Sequence, residues 1–124
     1  MKKVLVVEDD KDNLDLMTYV LKRAGYEVIT AETGEEGVEL AISERPLFII
    51  MDINLPGIDG LEATRRIRTS EADANIPIIA ITSFAMRGDM EKALSAGCSG
   101  CFEKPIDPLT IMEQIDKLLE EVRK

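Results

Sequence analysis

Leu47-Phe48-Ile49-Ile50-Met51-Asp52 is an uncharged run of five apolar residues that ends in a carboxylate. A short continuous apolar run reads as a strand covered on both faces. An acid at its end either stands at a sheet edge for chemistry or carries a burial cost that something must offset. The layout recurs outward from this point. Val4-Leu5-Val6-Val7 runs into Glu8-Asp9-Asp10, Ile76-Pro77-Ile78-Ile79-Ala80-Ile81 into Thr82-Ser83, and Cys101-Phe102-Glu103 into Lys104-Pro105.

Between these runs lie amphipathic stretches. The first strand is expected over Lys3–Val7 and the first helix over Lys11–Ala24, with Leu14, Met17, Leu21 and Ala24 on one face and Gly25 as its stop. A second strand, Glu27–Ala31, precedes the capping box Thr33-Gly34-Glu35-Glu36, which opens a helix to about Glu44. The third strand, Leu47–Met51, follows Pro46, and the third helix runs over Gly60–Thr69 with Leu61, Thr64 and Ile67 inward. The fourth strand is Pro77–Ile81 and the fourth helix Arg87–Ala96, stopped by Gly97. The fifth strand is Cys101–Glu103, and the last helix is Leu109–Val122 with Ile111, Ile115, Leu118, Leu119 and Val122 at helical spacing.

Alternating β and α units with right-handed crossovers predict an α/β domain over residues 1–124: a five-stranded parallel sheet, doubly wound by five helices. For the flavodoxin-like order 2-1-3-4-5, ligands bind at the carboxyl ends of the strands, between strands 1 and 3. Glu8, Asp9, Asp52, Thr82 and Lys104 then surround one hollow. Three carboxylates share it at a cost: at ~5 Å and an effective dielectric of about 20, each like-charged pair costs roughly 3 kcal/mol. A proton or a cation must relieve that. The chain of 124 residues has no histidine, so an all-oxygen set suits Mg²⁺, with Mn²⁺ or Ca²⁺ as substitutes. A hydroxyl and an ammonium aimed at a metal-bound oxyanion are the fittings of phosphoryl transfer.

Other classes recede. No glycine-rich loop follows the first strand, which removes a P-loop and a dinucleotide fingerprint. The net charge of −9 argues against a nucleic-acid partner. No apolar run is long enough for a membrane span, and Glu8 and Asp9 follow Met1-Lys2-Lys3 too soon for a signal peptide, so a cytoplasmic protein is expected. Cys98 and Cys101 form C-x-x-C, a spacing that can mark a redox pair or half a zinc site. With no second pair and no histidine a zinc site would need carboxylates to finish it, and the simpler reading is two small, partly buried thiols. Simpler roles exist for the site residues as well: Asp9 and Asp10 as caps of the first helix, Thr82 as a cap of the next turn, Lys104 as a solvated lysine.

Taken together, Val6-Val7-Glu8-Asp9-Asp10, Met51 to Gly60, Thr82-Ser83 and Lys104-Pro105 resemble the receiver domain of two-component response regulators across the whole chain. Phe84-Ala85-Met86-Arg87-Gly88-Asp89 resembles the stand-alone receivers of the DivK type. The resemblance implies that Asp52 is the phosphoacceptor. It implies that Asp9, Asp52 and the backbone carbonyl of Asn54 ligate Mg²⁺, with Glu8 completing the acidic pocket. Thr82 would be the switch hydroxyl and Lys104 the partner of the phosphoryl oxygens, with Lys104-Pro105 cis. A histidine kinase or histidine phosphotransfer protein would supply the phosphoryl group. The signal would leave by protein contact through the helix 4–strand 5–helix 5 face to a downstream target. The protein would be a signalling phosphoacceptor rather than an enzyme. One position departs: the family often carries Tyr or Phe where Cys101 stands, and cysteine has no ring to turn. Phe84 is placed to shield the phosphoryl group instead. The rivals are a small Mg²⁺-dependent phosphatase with Asp52 as nucleophile, which would want an acid where Asn54 stands, and a receiver fragment of a larger hybrid kinase or transcription regulator.

Overall fold

A computed structural model describes residues 2–70, 75–83 and 87–122. The element order is β1 (Lys3–Val7), α1 (Lys11–Arg23), β2 (Glu27–Ala31), α2 (Gly34–Glu44), β3 (Ile49–Asp52), α3 (Gly60–Thr69), β4 (Ile78–Thr82), α4 (Arg87–Ala96), β5 (Gly100–Glu103) and α5 (Ile111–Val122). The strands form one parallel sheet in the order β2-β1-β3-β4-β5.

The apolar runs are continuous because both faces of the sheet are covered. Side chains alternate across a strand. Leu5, Val7, Ile49, Met51, Ile78 and Ala80 therefore enter one core with α2, α3 and α4. Val4, Val6, Phe48, Ile50, Ile79 and Ile81 enter a second core with α1 and α5. Each fully buried aliphatic side chain contributes about 1.5–3 kcal/mol. Close helix–sheet approach needs glycine at one point in particular: a Cβ on Gly37 of α2 would lie 2.8 Å from Val7. Among the described residues, no helix is long and apolar enough to cross a membrane.

Several boundaries differ from expectation. Leu47 donates its N–H to Lys3 at 2.7 Å and belongs to the approach, and the β3 ladder instead runs to Asp52, paired with Ile81. β4 likewise extends to Thr82, so both polar residues are the last rungs of strands rather than loop residues. β5 begins at Gly100, whose missing side chain lets Leu118 of α5 approach: an added Cβ would sit 2.5 Å from Leu118 Cδ2. α5 begins at Ile111, because the Asp107 carboxylate accepts from the Leu109 N–H at 2.9 Å and its carbonyl from Ile111. Leu109 is thus 89% exposed. Ala24 is the exposed C-cap of α1, and Val122 lies at the exposed end of α5.

Candidate functional site

The site grows from the carboxyl ends of β1, β3, β4 and the turn after β5. Asp52 keeps its backbone in the sheet while its carboxylate is buried at the switch point, 2% exposed. Glu8, one residue past β1, is held by its N–H on Ala31 at 3.0 Å and is also buried. Asp9 is exposed beside it. One carboxylate oxygen from each of Glu8, Asp9 and Asp52 lies within 4.8 Å of the others. Asp10, not Asp9, caps α1, accepting from the Asn13 N–H at 3.4 Å. Asp9 is thereby left to the cluster, and the capping alternative belongs to its neighbour.

Lys104 is not a solvated lysine. Its ammonium stands 2.9 Å from Glu8 Oε1 and 3.4 Å from Asp52 Oδ2. The main chain delivers it there: the Lys104 N–H donates to the Thr82 carbonyl at 2.8 Å. The Lys104–Pro105 bond is cis, as expected. Thr82 is buried on the neighbouring strand. The loop after β3 turns back over Asp52. The Asn54 N–H donates to Asp52 Oδ1 at 3.1 Å, and the Gly60 N–H to the Ile53 carbonyl at 3.0 Å. Gly60 must lack a side chain, because a Cβ would lie 2.8 Å from Ile53 Cα and against the Asp52 carbonyl. Phe84 lies outside the described residues.

The electrostatics follow from burial. Burial first, then the hydrogen bond and charge of Asp52, push the Glu8 carboxyl up to about 7 against the opposing pull of Lys104. Burial alone would lower the Lys104 ammonium, but its hydrogen bond to Glu8 and the charges of Asp52 and Glu8 hold it above its ordinary value. Below about pH 7 the Glu8 carboxyl therefore holds a proton, which a cation bound at the cluster would displace. The donor set fits Mg²⁺: bonds of ~2.1 Å put ligand oxygens roughly 3–4 Å apart, so oxygens already within 4.8 Å need little movement. The Asn54 N–H bond to Asp52 and the backbone contact at Gly60 carry no side-chain signal, and sequence reasoning did not find them.

Among the sequence-derived site residues, Glu8, Asp9, Asp52 and Lys104 come together, and the group of Asn54 that meets the site is its N–H, on Asp52. Cys101 is partly buried against the core on the α2–α4 side, and Cys98 is a buried thiol, raised by burial despite the hydrogen bond of Thr64 and the charge of Arg68.

Fold and site define a class: CheY-like α/β proteins with a carboxylate cleft at the topological switch point. Within it, the chain belongs to the response regulator receiver domain family, whose family model matches residues 4–116. It is similar to the polar-differentiation response regulator DivK of Brucella anthropi, at 39% identity over 118 residues, 95% of this chain and 96% of that protein. Its fold superposes with a TM-score of 0.86 on the receiver domain of sensor histidine kinase PA1611 of Pseudomonas aeruginosa PAO1, 34% identical and covering 99% of this chain and 98% of that one. That structure has a magnesium ion coordinated in its active site cleft. The chemotaxis response regulator CheY4 of Vibrio cholerae matches with a TM-score of 0.89 at 30% identity, over 95% of this chain and 98% of that chain.

Proposed function

We propose that the protein accepts a phosphoryl group on Asp52 from a phosphohistidine of a partner histidine kinase or histidine phosphotransfer protein, in a Mg²⁺-dependent reaction in the cytoplasm. The observation that carries this is the Lys104 ammonium beside the buried Asp52 and Glu8 carboxylates, with Asp9 completing the acidic set. Glu8, Asp9, Asp52 and the Asn54 carbonyl would hold the ion, and its chemistry is to neutralise the acidic pocket and the phosphoryl oxygens. Mn²⁺ or Ca²⁺ would substitute.

Asp52 attacks phosphorus in line. An O–P bond forms at its carboxylate, the P–N bond to the donor imidazole breaks, and that nitrogen leaves with the electron pair and takes up a proton. Lys104 turns from Asp52 to the phosphoryl oxygens, and the Thr82 hydroxyl donates to one of them. The Asn54 N–H keeps Asp52 oriented, as it does in the unmodified protein. The chain acts as phosphoacceptor and signal, not as an enzyme on a separate substrate, and passes the signal by protein contact through the α4–β5–α5 face. In the test, a small-molecule phosphodonor with Mg²⁺ labels the wild type and not Asp52→Asn. Persistent labelling of the variant would overturn the assignment.

A further inference from the structure

The loop 53–59 is tied at its base by the Gly60 N–H to the Ile53 carbonyl and by the Asn54 N–H to Asp52. Its outer side rests on a different element. A Cβ on Gly34, the first residue of α2, would lie 2.7 Å from both Ile58 Cγ1 and the Ile58 carbonyl oxygen. Main chain as well as side chain therefore presses on this turn, and the half-buried Ile58 anchors in the core on the same side. One residue earlier, Gly57 holds φ +74°, and the Glu35 carboxylate of the same α2 turn lies 3.0 Å from where its Cβ would stand. The α2 turn is itself fixed, because the Glu36 N–H donates to Thr33 Oγ1 at 3.1 Å and Glu36 Oε1 accepts from the Glu32 N–H at 3.0 Å. A short loop gripped at both sides has little freedom in the carbonyl between them.

We infer that the first turn of α2, through the bare Gly34 backbone, is a positioning element for the Asn54 carbonyl and so sets the affinity of the acidic site for its divalent cation. This rests on the reading that Asn54 ligates that ion. Gly34 touches no reacting atom and acts through Ile58. The glycine has no other evident reason to be there: its φ is not in the left-handed region, and alanine is the better helix former by about 1 kcal/mol.

Gly34→Ala tests the inference against Gly88→Ala, a control where an added Cβ meets nothing within 4 Å. Two readouts serve: the Asn54 amide resonance without metal, and the Mg²⁺ dissociation constant from titration calorimetry. Gly34→Ala should shift the Asn54 amide and weaken Mg²⁺ roughly 10-fold, as for other residues that orient metal ligands, while Gly88→Ala does neither. Ile58→Ala, which withdraws the contact from the loop side, should also weaken Mg²⁺ and keeps the test available if Gly34→Ala does not fold. The double variant should bind better than the two single losses combined, the coupling expected of groups that meet. Mg²⁺ affinity within threefold of wild type in the folded Gly34→Ala, or in Ile58→Ala where the former does not fold, overturns the inference. A wild type that binds no Mg²⁺ overturns the phosphoacceptor reading and this inference with it.

Discussion

Replacing Asp52, the proposed phosphoacceptor, should make the metal-free protein more stable. At an effective dielectric of about 20, the 3.4 Å pair of Asp52 with Lys104 gains about 5 kcal/mol. Repulsion between Asp52 and Glu8, whose oxygens lie within 4.8 Å, costs about 3.5 kcal/mol or more on the same scale. Asp9 repels as well, but it is exposed and its share is screened. The charge terms nearly cancel, and the desolvation of a carboxylate 2% exposed, several kcal/mol per ion, decides the sign. Asp52→Asn removes that penalty, keeps an acceptor for the Asn54 N–H and offers Glu8 a donor. A stabilisation of about 2 kcal/mol at pH 8 follows, or a rise of ~1 M in the urea midpoint. The pH dependence has a definite sign. Because the Glu8 carboxyl is raised to about 7, the fold holds a proton that the unfolded chain loses at lower pH. Wild-type stability therefore falls as pH rises from the ordinary carboxylate range through about 7. Asp52→Asn removes one cause of the raised value and loses less. Urea unfolding with EDTA between pH 4.5 and 8 measures both curves. An Asp52→Asn midpoint at pH 8 equal to or below the wild type would refute the reasoning.

The same raised carboxyl predicts that Mg²⁺ binding displaces a proton from Glu8 at pH 6 and little at pH 8, so affinity climbs through about pH 7. Calorimetry in two buffers of different ionisation enthalpy reads the proton count, and a pH-independent affinity would contradict the assignment. Gly60→Ala forces a Cβ against the Asp52–Ile53 backbone and should cost about 1–3 kcal/mol in urea unfolding while slowing Asp52 labelling. A variant as stable and as quickly labelled as wild type would show that the backbone yields freely there.

The sheet was legible because β1, β3 and β4 must be apolar on both faces, a requirement that leaves uninterrupted runs such as Ile78–Ile81. The strand ends were less so. Periodicity marks where apolar residues stop, but Asp52 and Thr82 keep their backbones in the ladder after their side chains have turned polar, so the ladder outlasts the pattern by one residue. The start of α5 was hidden by Asp107, whose capping of Leu109 competes with the helical spacing of the apolar residues. At the site, residue type and strand-end position brought together Glu8, Asp9, Asp52 and Lys104. What they could not supply was reach: that Lys104 extends from the turn after β5 as far as Glu8 at the end of β1 is a matter of side-chain length and main-chain path.

The substitution at Cys101 bears on how the proposed signal would travel. β5 alternates like any strand, so Cys101 faces the core on the α2–α4 side, whereas Phe102 faces the α1–α5 side. The aromatic ring of β5 is thus on the opposite face from the position where a turning ring would stand, beside Gln114, Lys117 and Leu118 of α5. A thiol partly buried next to Ala80 has no second position to adopt comparable to the swing of a ring. One link from Thr82 to β5 is main chain: Thr82 pairs with Glu103, and its carbonyl accepts from the Lys104 N–H at 2.8 Å. Movement of Thr82 toward a phosphoryl group on Asp52 would pull on that hydrogen bond directly. At the other end of α4 the helix is held, with the Gly97 carbonyl accepting from Arg68 Nε of α3 at 2.9 Å and the Ser99 N–H bonded to Ile78 at 2.7 Å. If phosphorylation draws Thr82 toward Asp52, the main-chain bond from Lys104 to Thr82 would carry the displacement to β5, and no ring is required for it.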